Sequence, residues 1–232
     1  MMGLSGLGLS GREVDIVFCI DGTKTMQFII EEIKAEMQSF YAMYEQEAKE
    51  KELVTNRLRV KFIIFRTFGE EGVKAIEESP FYELPSQQNE MMDFVQGIEA
   101  KGNARNGANA LEAIALALQS DWTTASGRKR HIILTITDKP AIPLGAKKAC
   151  PDYPQDMPED LAKLGAIWEG VVEDQSMKTY LPKAGRLLVF APREESWEAL
   201  EMWNRYWYVI TSPDAWEMFG LQEIAYILVD SI

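Results

Sequence analysis

The chain has 232 residues and a net charge of −12 at pH 7, with 47% hydrophobic and 26% charged residues. This composition is typical of a globular protein with one large α/β domain. The negative charge argues against a nucleic-acid-binding surface, because phosphates would be repelled. Two cysteines and one histidine exclude a disulfide framework and a multi-histidine metal site within one chain. So few cysteines also favour a reducing compartment, and we expect a cytoplasmic location.

The amino-terminal segment is rich in glycine and leucine and lacks the charged start and apolar core of a signal peptide. No apolar run approaches the length of a membrane span. We therefore expect residues 1–12 to be a flexible leader, residues 13–232 to form a single domain, and the protein to have no membrane segment.

The first strong structural signal is an apolar run at 14–20, which ends abruptly at Asp21. Such a run is typical of a strand buried on both faces of a parallel sheet. A helix is predicted to follow as far as about residue 50. Its apolar residues recur at steps of three and four and predict a stripe that packs on the sheet, formed by Ile29, Ile33, Met37, Phe40 and Tyr44.

Strands and helices are predicted to alternate along the rest of the chain. Further strands are expected at 58–66, 131–137, 185–191 and 206–210, with a short edge strand at 73–76. Helices are expected at 86–100, 108–120, 159–172, 194–205 and 223–232, with Pro158 at the start of the helix at 159. The basic cluster at 128–130 is interpreted as a solvated loop. This alternation predicts a Rossmann-like, doubly wound α/β fold with a mainly parallel sheet.

Oxygen-bearing side chains follow two of the predicted strands. Asp21, Thr23 and Thr25 lie on the loop after the first strand, and Asp138 directly follows the strand at 131–137. If these strands are neighbours, the side chains converge at the carboxyl edge of the sheet, where α/β proteins bind ligands. An all-oxygen set suits Mg²⁺ or a similar hard divalent cation. The alternative is that these are ordinary turn residues, with Thr25 capping the following helix.

Several motifs together resemble the von Willebrand factor A family. DGTKTM at 21–26 resembles the start of its metal-ion-dependent adhesion site, and LRVKFIIFRTFG resembles its second strand. ALEAIALALQSDW, RHIILTITDKP and CPDYPQDMPEDLAKL are similar to segments of the bacterial intracellular branch. The resemblance implies a Rossmann-like fold in which Asp21, Thr23 and Thr25 form the first metal loop. Asp138 would be the acid of the last loop, often acting through water.

The middle metal loop departs from the family pattern. This loop usually brings a Thr or Asp after glycines, but here it reads GNARNGAN and places Arg105 at that position. Arg105 could point to solvent and leave a weakened site, or fold inward and pair with Asp21 and Asp138 in place of the cation. We favour the second arrangement, because two convergent carboxylates need a counter-charge that Arg supplies bidentately.

The resemblance implies a non-enzymatic scaffold that binds a partner protein, such as a kinase, a phosphatase or an AAA-type ATPase. An aromatic-rich stretch at 197–219 is interpreted mainly as cover for the last edge of the sheet. One alternative is an Mg²⁺-dependent phosphotransferase or phosphatase with Asp21 as nucleophile, but the downstream acid pair of such enzymes is missing. There is no G-x-S-x-G elbow, and Cys19 is expected to be buried and inert. A third possibility is a decayed metal site in a fold that serves only assembly.

Overall fold

The computed structural model of the chain describes residues 11–103, 107–211 and 213–232, and for 213–219 it describes the backbone alone. Its centre is a seven-stranded sheet in the order β3-β2-β1-β5-β6-β7, with β4 also pairing with β2. The strands are β1 (Arg12–Asp21), β2 (Thr55–Phe65), β3 (Ile76–Glu78), β4 (Tyr82–Leu84), β5 (Arg128–Ile136), β6 (Gly185–Ala191) and β7 (Tyr206–Ile210). The α-helices are α1 (Gln27–Glu36), α2 (Phe40–Glu50), α3 (Gln88–Gln96), α4 (Ala110–Leu118), α5 (Leu161–Trp168), α6 (Glu195–Glu198) and α7 (Pro213–Asp230).

The five long strands are parallel, with β1 between β2 and β5. The short strands β3 and β4 pair antiparallel with β2 and close that side of the sheet. Helices cover both faces, so the predicted Rossmann-like, mainly parallel α/β architecture is confirmed. The strands β1 and β5 are neighbours, so the condition for convergence of Asp21 and Asp138 is met.

Alternate residues of β1 enter two separate cores, as expected of a strand buried on both faces. Phe18 packs in the core beneath α1, α2, α3 and α7. Val17 and Cys19 pack in the opposite core, beneath α4 and α5. The apolar run of β1 therefore packs against the layers of helices on both faces of the sheet.

The predicted helix at 26–50 is interrupted. A 3₁₀ turn at Lys24–Met26 precedes α1, and a second at Met37–Ser39 separates α1 from α2. The predicted apolar stripe is nevertheless confirmed, because Ile29, Ile33, Met37, Phe40 and Tyr44 are all buried. The stripe packs into the core of the first sheet face.

Two helix predictions were wrong in extent. The predicted helix at 194–205 is the single turn α6, because the chain reverses before β7 and Arg205 adopts a left-handed φ of 60°. The side chain of Glu169 accepts from the backbone N–H of Asn204 at 2.6 Å and holds this reversal. The predicted start at Pro158 is also wrong. Asp160 caps α5 by accepting from the backbone N–H of Lys163 at 2.8 Å, so Pro158 lies outside the helix.

Other boundaries shifted for local reasons. The edge strand expected at 73–76 is β3 at Ile76–Glu78, and the three-residue β4 was missed because such a short segment carries no periodic signal. The basic cluster at 128–130 opens β5 instead of forming a loop. The last helix begins ten residues earlier than its predicted start at 223 and is broken at Gly220. Within the described part of the chain, no helix is both long and apolar enough to cross a membrane.

Candidate functional site

Asp21 ends β1 with its carboxylate fully buried. One carboxylate oxygen accepts from the backbone N–H of Thr23 at 2.9 Å, and the other accepts from the hydroxyl of Thr137 at 2.7 Å. Burial raises the pKa of Asp21 to about 6, although these hydrogen bonds oppose the shift. The carboxylate is therefore oriented by its neighbours but lacks a full counter-charge.

Thr25 connects the loop after β1 to the end of β5. Its hydroxyl donates to Asp138 Oδ1 at 3.1 Å and lies 3.4 Å from the hydroxyl of Thr23. The capping alternative for Thr25 is wrong, because Thr23 and Met26 hold the N-cap positions and neither makes a side-chain cap bond. The structure thus brings Asp21, Thr23, Thr25 and Asp138 together at one edge of the sheet, and we call these four residues the strand-end site.

Lys139 is a member of the site that was not predicted from the sequence. Its ammonium group lies 3.2 Å from Asp138 Oδ2, and its backbone N–H donates to the hydroxyl of Thr137 at 3.1 Å. Its carbonyl accepts from the indole of Trp197 at 3.0 Å, which anchors the loop. Lys139 therefore supplies positive charge where Arg105 had been expected to supply it. A lysine directly after Asp138 was the available signal.

The buried side chain of Arg66 holds the loop after β1 in place. Arg66 is 1% exposed and donates through Nε to the carbonyl of Gly22 at 3.0 Å and through Nη2 to the carbonyl of Glu99 at 2.6 Å. A Cβ at Gly22 would lie 2.9 Å from Arg66 Nε and 2.6 Å from Ile64 Cγ2. Glycine is therefore required where Arg66 crosses this loop.

The position of Arg105 lies outside the described residues, so both of its predicted arrangements stay predictions. The segment before it is tied to the site. The backbone N–H of Lys101 donates to the carbonyl of Gly22 at 2.8 Å, and that of Lys24 donates to the carbonyl of Gly102 at 3.3 Å. After it, Ala108 forms a parallel bridge with Ala141. The middle loop therefore enters and leaves beside the strand-end site.

Glu112 is a second buried carboxylate that was not predicted from the sequence. It accepts from the backbone N–H of Gly145 and from the hydroxyl of Tyr153, each at 3.2 Å, and from the side-chain amide of Asn109 at 3.4 Å. Burial raises its pKa above the ordinary range. A single charge inside the apolar helix α4 was the available signal. Glu112 fastens the long loop that follows Asp138.

The other residues that the sequence singled out have structural roles. Cys19 is fully buried, as expected, and desolvation raises the pKa of its thiol. Trp197 and Trp203 are buried in the core beneath α4 and α5, whereas Trp207 on β7 is 39% exposed. Trp216 and Phe219 have side chains outside the described part of the chain.

The donor set at the strand ends fits a hard divalent cation by its chemistry. Hydroxyl and carboxylate oxygens converge there, and Mg²⁺ and Ca²⁺ prefer such ligands. Nowhere in the ranges that the structure describes do three or more His, Cys, Asp or Glu side chains form a metal-binding group. Hydroxyls would therefore have to supply part of the coordination.

No model of a known protein family matches the sequence, and no curated protein matches it. Among solved structures, the chain is similar to the pilus adhesin SpaC from Lactobacillus rhamnosus GG in its open conformation. The identity is 12%, the match covers 94% of this chain and 30% of the adhesin, and the TM-score is 0.55. A second structure of the same adhesin matches with 12% identity over 94% of this chain and 31% of the adhesin, with a TM-score of 0.56.

A von Willebrand factor type A structure from Catenulispora acidiphila is also similar. The identity is 11%, the match covers 93% of this chain and 42% of the other, and the TM-score is 0.53. The chain spans less than half the length of each of these proteins. At these identities the similarity concerns the fold alone. Sheet order, helical layers and structural neighbours agree that the chain has a fold of the von Willebrand factor A type.

Proposed function

We propose that the chain is a non-enzymatic interaction module that binds a partner protein through the strand-end site, together with a divalent cation such as Mg²⁺ if Arg105 points to solvent. One observation carries the proposal. The Thr25 hydroxyl and Asp138 are joined across two neighbouring strand ends, and Thr25 is exposed while Asp21 is buried behind it. The oxygen cluster can therefore be reached by a partner on one side and is fixed by the sheet on the other.

Each residue has a distinct part in this proposal. Thr23, Thr25 and Asp138 would hold the cation with their oxygens, and Asp21 would balance its charge from the buried side. A cation bound there supplies a positive centre that a carboxylate of the partner protein can contact. Thr137 keeps the Asp21 carboxylate in position through its 2.7 Å hydrogen bond.

A cation-independent interaction is the second candidate, and Lys139 supports it. The ammonium group beside Asp138 already neutralises one of the two carboxylates. In this case the metal site has decayed and the fold serves assembly alone. The two candidates differ in whether partner binding requires a divalent cation.

The environment of Asp21 disfavours the phosphotransferase alternative. Both carboxylate oxygens already accept hydrogen bonds and the side chain has no exposed surface, so attack on a phosphoryl group is obstructed. The family resemblance is the reason for proposing a kinase, a phosphatase or an AAA-type ATPase as the partner. One similar structure is a pilus adhesin, which also supports an interaction role.

Calorimetric titration of the chain with Mg²⁺ and Mn²⁺ tests the role of the cation. We expect saturable binding that is lost in Asp21→Asn, with circular dichroism confirming that the variant is folded. Tight binding by the wild-type protein would overturn the arrangement in which Arg105 replaces the cation. Affinity capture from the native host, with and without a chelator, tests the partner. Equal capture under both conditions would favour the cation-independent candidate.

A further inference from the structure

Four arginines share one face of the sheet at the end opposite the strand-end site. Arg12 begins β1 and lies directly opposite Arg128 at the start of β5. Arg130 follows two residues later on the same face of β5. Arg186 lies on β6 and is paired in register with Ile132 of β5, which shares the face of Arg130. We call Arg12, Arg128, Arg130 and Arg186 the arginine stripe. It crosses the amino ends of three adjacent parallel strands.

The arginine stripe has no acidic partner among the residues that the structure describes. None of its four members forms an ion pair there. Partial burial, together with repulsion from Arg186, Arg12 and Arg128, lowers the pKa of Arg130 to about 10. Asp230, at the end of α7, pairs with Lys51 at 2.6 Å. Within the described ranges, no Asp or Glu side chain therefore neutralises this positive charge, although the chain has a net charge of −12.

Two of these arginines have a structural role that fixes their position. Arg130 Nε donates to the main-chain oxygen of Ile232 at 2.9 Å, and Arg186 Nε donates to that of Ser231 at 2.8 Å. They thereby satisfy backbone oxygens just beyond the end of α7. Their Nη1 atoms donate to backbone carbonyls, and their Nη2 atoms make no hydrogen bond to any described residue. Each guanidinium is thus held in place with one nitrogen available to a ligand.

The surface beside the arginine stripe extends its positive charge. An open depression of about 570 Å³ is lined by Arg130, Lys129 and Lys183, and its one acidic residue is Glu169. Glu169 is already engaged by Arg205 at 3.3 Å. On the neighbouring strand β7, the half-exposed ring of Trp207 lies 5.9 Å from the guanidinium carbon of Arg186.

We propose that the arginine stripe binds an extended acidic segment of a partner protein. Guanidinium groups bind carboxylates bidentately, and an extended chain presents alternate side chains on one side about 7 Å apart. The same spacing of about 7 Å separates Arg128 from Arg130, which are two residues apart on β5. The negative charge of the rest of the chain repels an acidic partner from other surfaces and steers it to this end. This surface is separate from the strand-end site.

Fluorescence anisotropy with a labelled polyglutamate peptide of about ten residues, in about 50 mM NaCl, tests the proposal. We expect Arg128→Gln/Lys183→Gln to weaken binding by about fivefold or more. Both residues are exposed and their side chains make no hydrogen bond among the described residues, so the fold is preserved. Arg130→Gln/Arg186→Gln removes the two fixed guanidiniums, and we expect a larger loss of about tenfold or more.

The matched control is Lys74→Gln/Lys148→Gln, which removes the same charge from exposed positions elsewhere. We expect it to change the affinity by less than about twofold. Absence of binding by the wild-type protein, or equal weakening by the control, would overturn the proposal. Preferential binding to vesicles containing phosphatidylserine, or to single-stranded oligothymidylate, would also overturn it and assign the surface to a membrane or a nucleic acid.

Discussion

The hydroxyl of Thr25 donates to Asp138 Oδ1 at 3.1 Å, although the two residues are 113 positions apart. The register of β1 and β5 explains the contact. Cys19 is paired with Thr135 and Ile20 with Ile136, so both loops leave the sheet at the same level. Threonine hydroxyls often cap the next helix, but the Thr25 hydroxyl instead donates to Asp138, which lies just after the neighbouring strand β5. The geometry of the strand-end site depends on this hydrogen bond between the loops after β1 and β5.

Thr25→Val removes the hydroxyl and keeps the side-chain shape. We expect divalent-cation affinity to fall about tenfold or more, because one oxygen ligand and the orientation of Asp138 are lost together. The free energy of unfolding should change by about 1 kcal/mol or less, since Thr25 is exposed. Calorimetric titration and urea unfolding measure the two effects. Thr124→Val, at an exposed position away from the strand-end site, should change neither, and unchanged cation affinity in Thr25→Val would remove Thr25 from the proposed ligands.

Lys139→Met removes the ammonium group that lies 3.2 Å from Asp138 Oδ2. We expect cation affinity to increase about three- to tenfold, because the lysine and the cation compete for the same carboxylate. Titration with Mg²⁺ in low salt measures this increase. The exposed Lys178→Met removes the same charge elsewhere and should leave the affinity unchanged. A decrease in Lys139→Met would show that Lys139 supports the site instead of opposing the cation.

Gly22→Ala should disturb the strand-end site, because it displaces Arg66, which holds the loop after β1. The new methyl group would lie 2.6 Å from Ile64 Cγ2 and 2.9 Å from Arg66 Nε, so the buried arginine must move. We expect a loss of about 1–3 kcal/mol in the free energy of unfolding, as for other overpacked positions. Cation affinity should fall as well. At Gly97 the nearest atom to an added Cβ is 3.3 Å away, so Gly97→Ala should cost less. Equal stability of the two variants in urea unfolding would contradict this explanation.

His131 should make stability depend on pH. Its ring stacks on Trp122 with centroids 4.8 Å apart, its Nδ1 accepts from the backbone N–H of Leu181, and burial lowers its pKa to about 4. The unfolded chain, with an ordinary histidine pKa near about 6.5, binds more protons between these values, so stability falls as the pH falls. From pH 7 to pH 5 we expect this residue to cost about 2 kcal/mol.

His131→Phe keeps an aromatic ring against Trp122 and removes the titration. Urea unfolding at a series of pH values should show the wild type losing stability relative to this variant as the pH falls. Asp21, whose raised pKa of about 6 acts in the opposite direction, is present in both proteins and cancels in the comparison. Parallel pH profiles would show that the folded-state pKa of His131 is not lowered.

Sequence patterns predicted those parts of the protein in which local and long-range forces agree. The apolar run of β1 and the abrupt change at Asp21 indicated both the parallel sheet and the position of its polar edge. Lys139 could not be assigned in the same way, because its contact with Asp138 depends on how the loop turns after β5. The helix expected at 194–205 was too long, since burial of Trp203 against Gly165 requires the chain to turn early.

The central position of β1 determines how ligand binding at the strand-end site is lost when the protein unfolds. Asp21 ends β1 and Thr23 follows it, and this strand is hydrogen-bonded along both of its edges, between β2 and β5. Local opening of an edge strand such as β3 or β7 leaves this strand in place. Backbone amides at 16–21 should therefore exchange with solvent only when the whole sheet opens. Ligand binding at the strand ends should then disappear on heating in a single step with global unfolding.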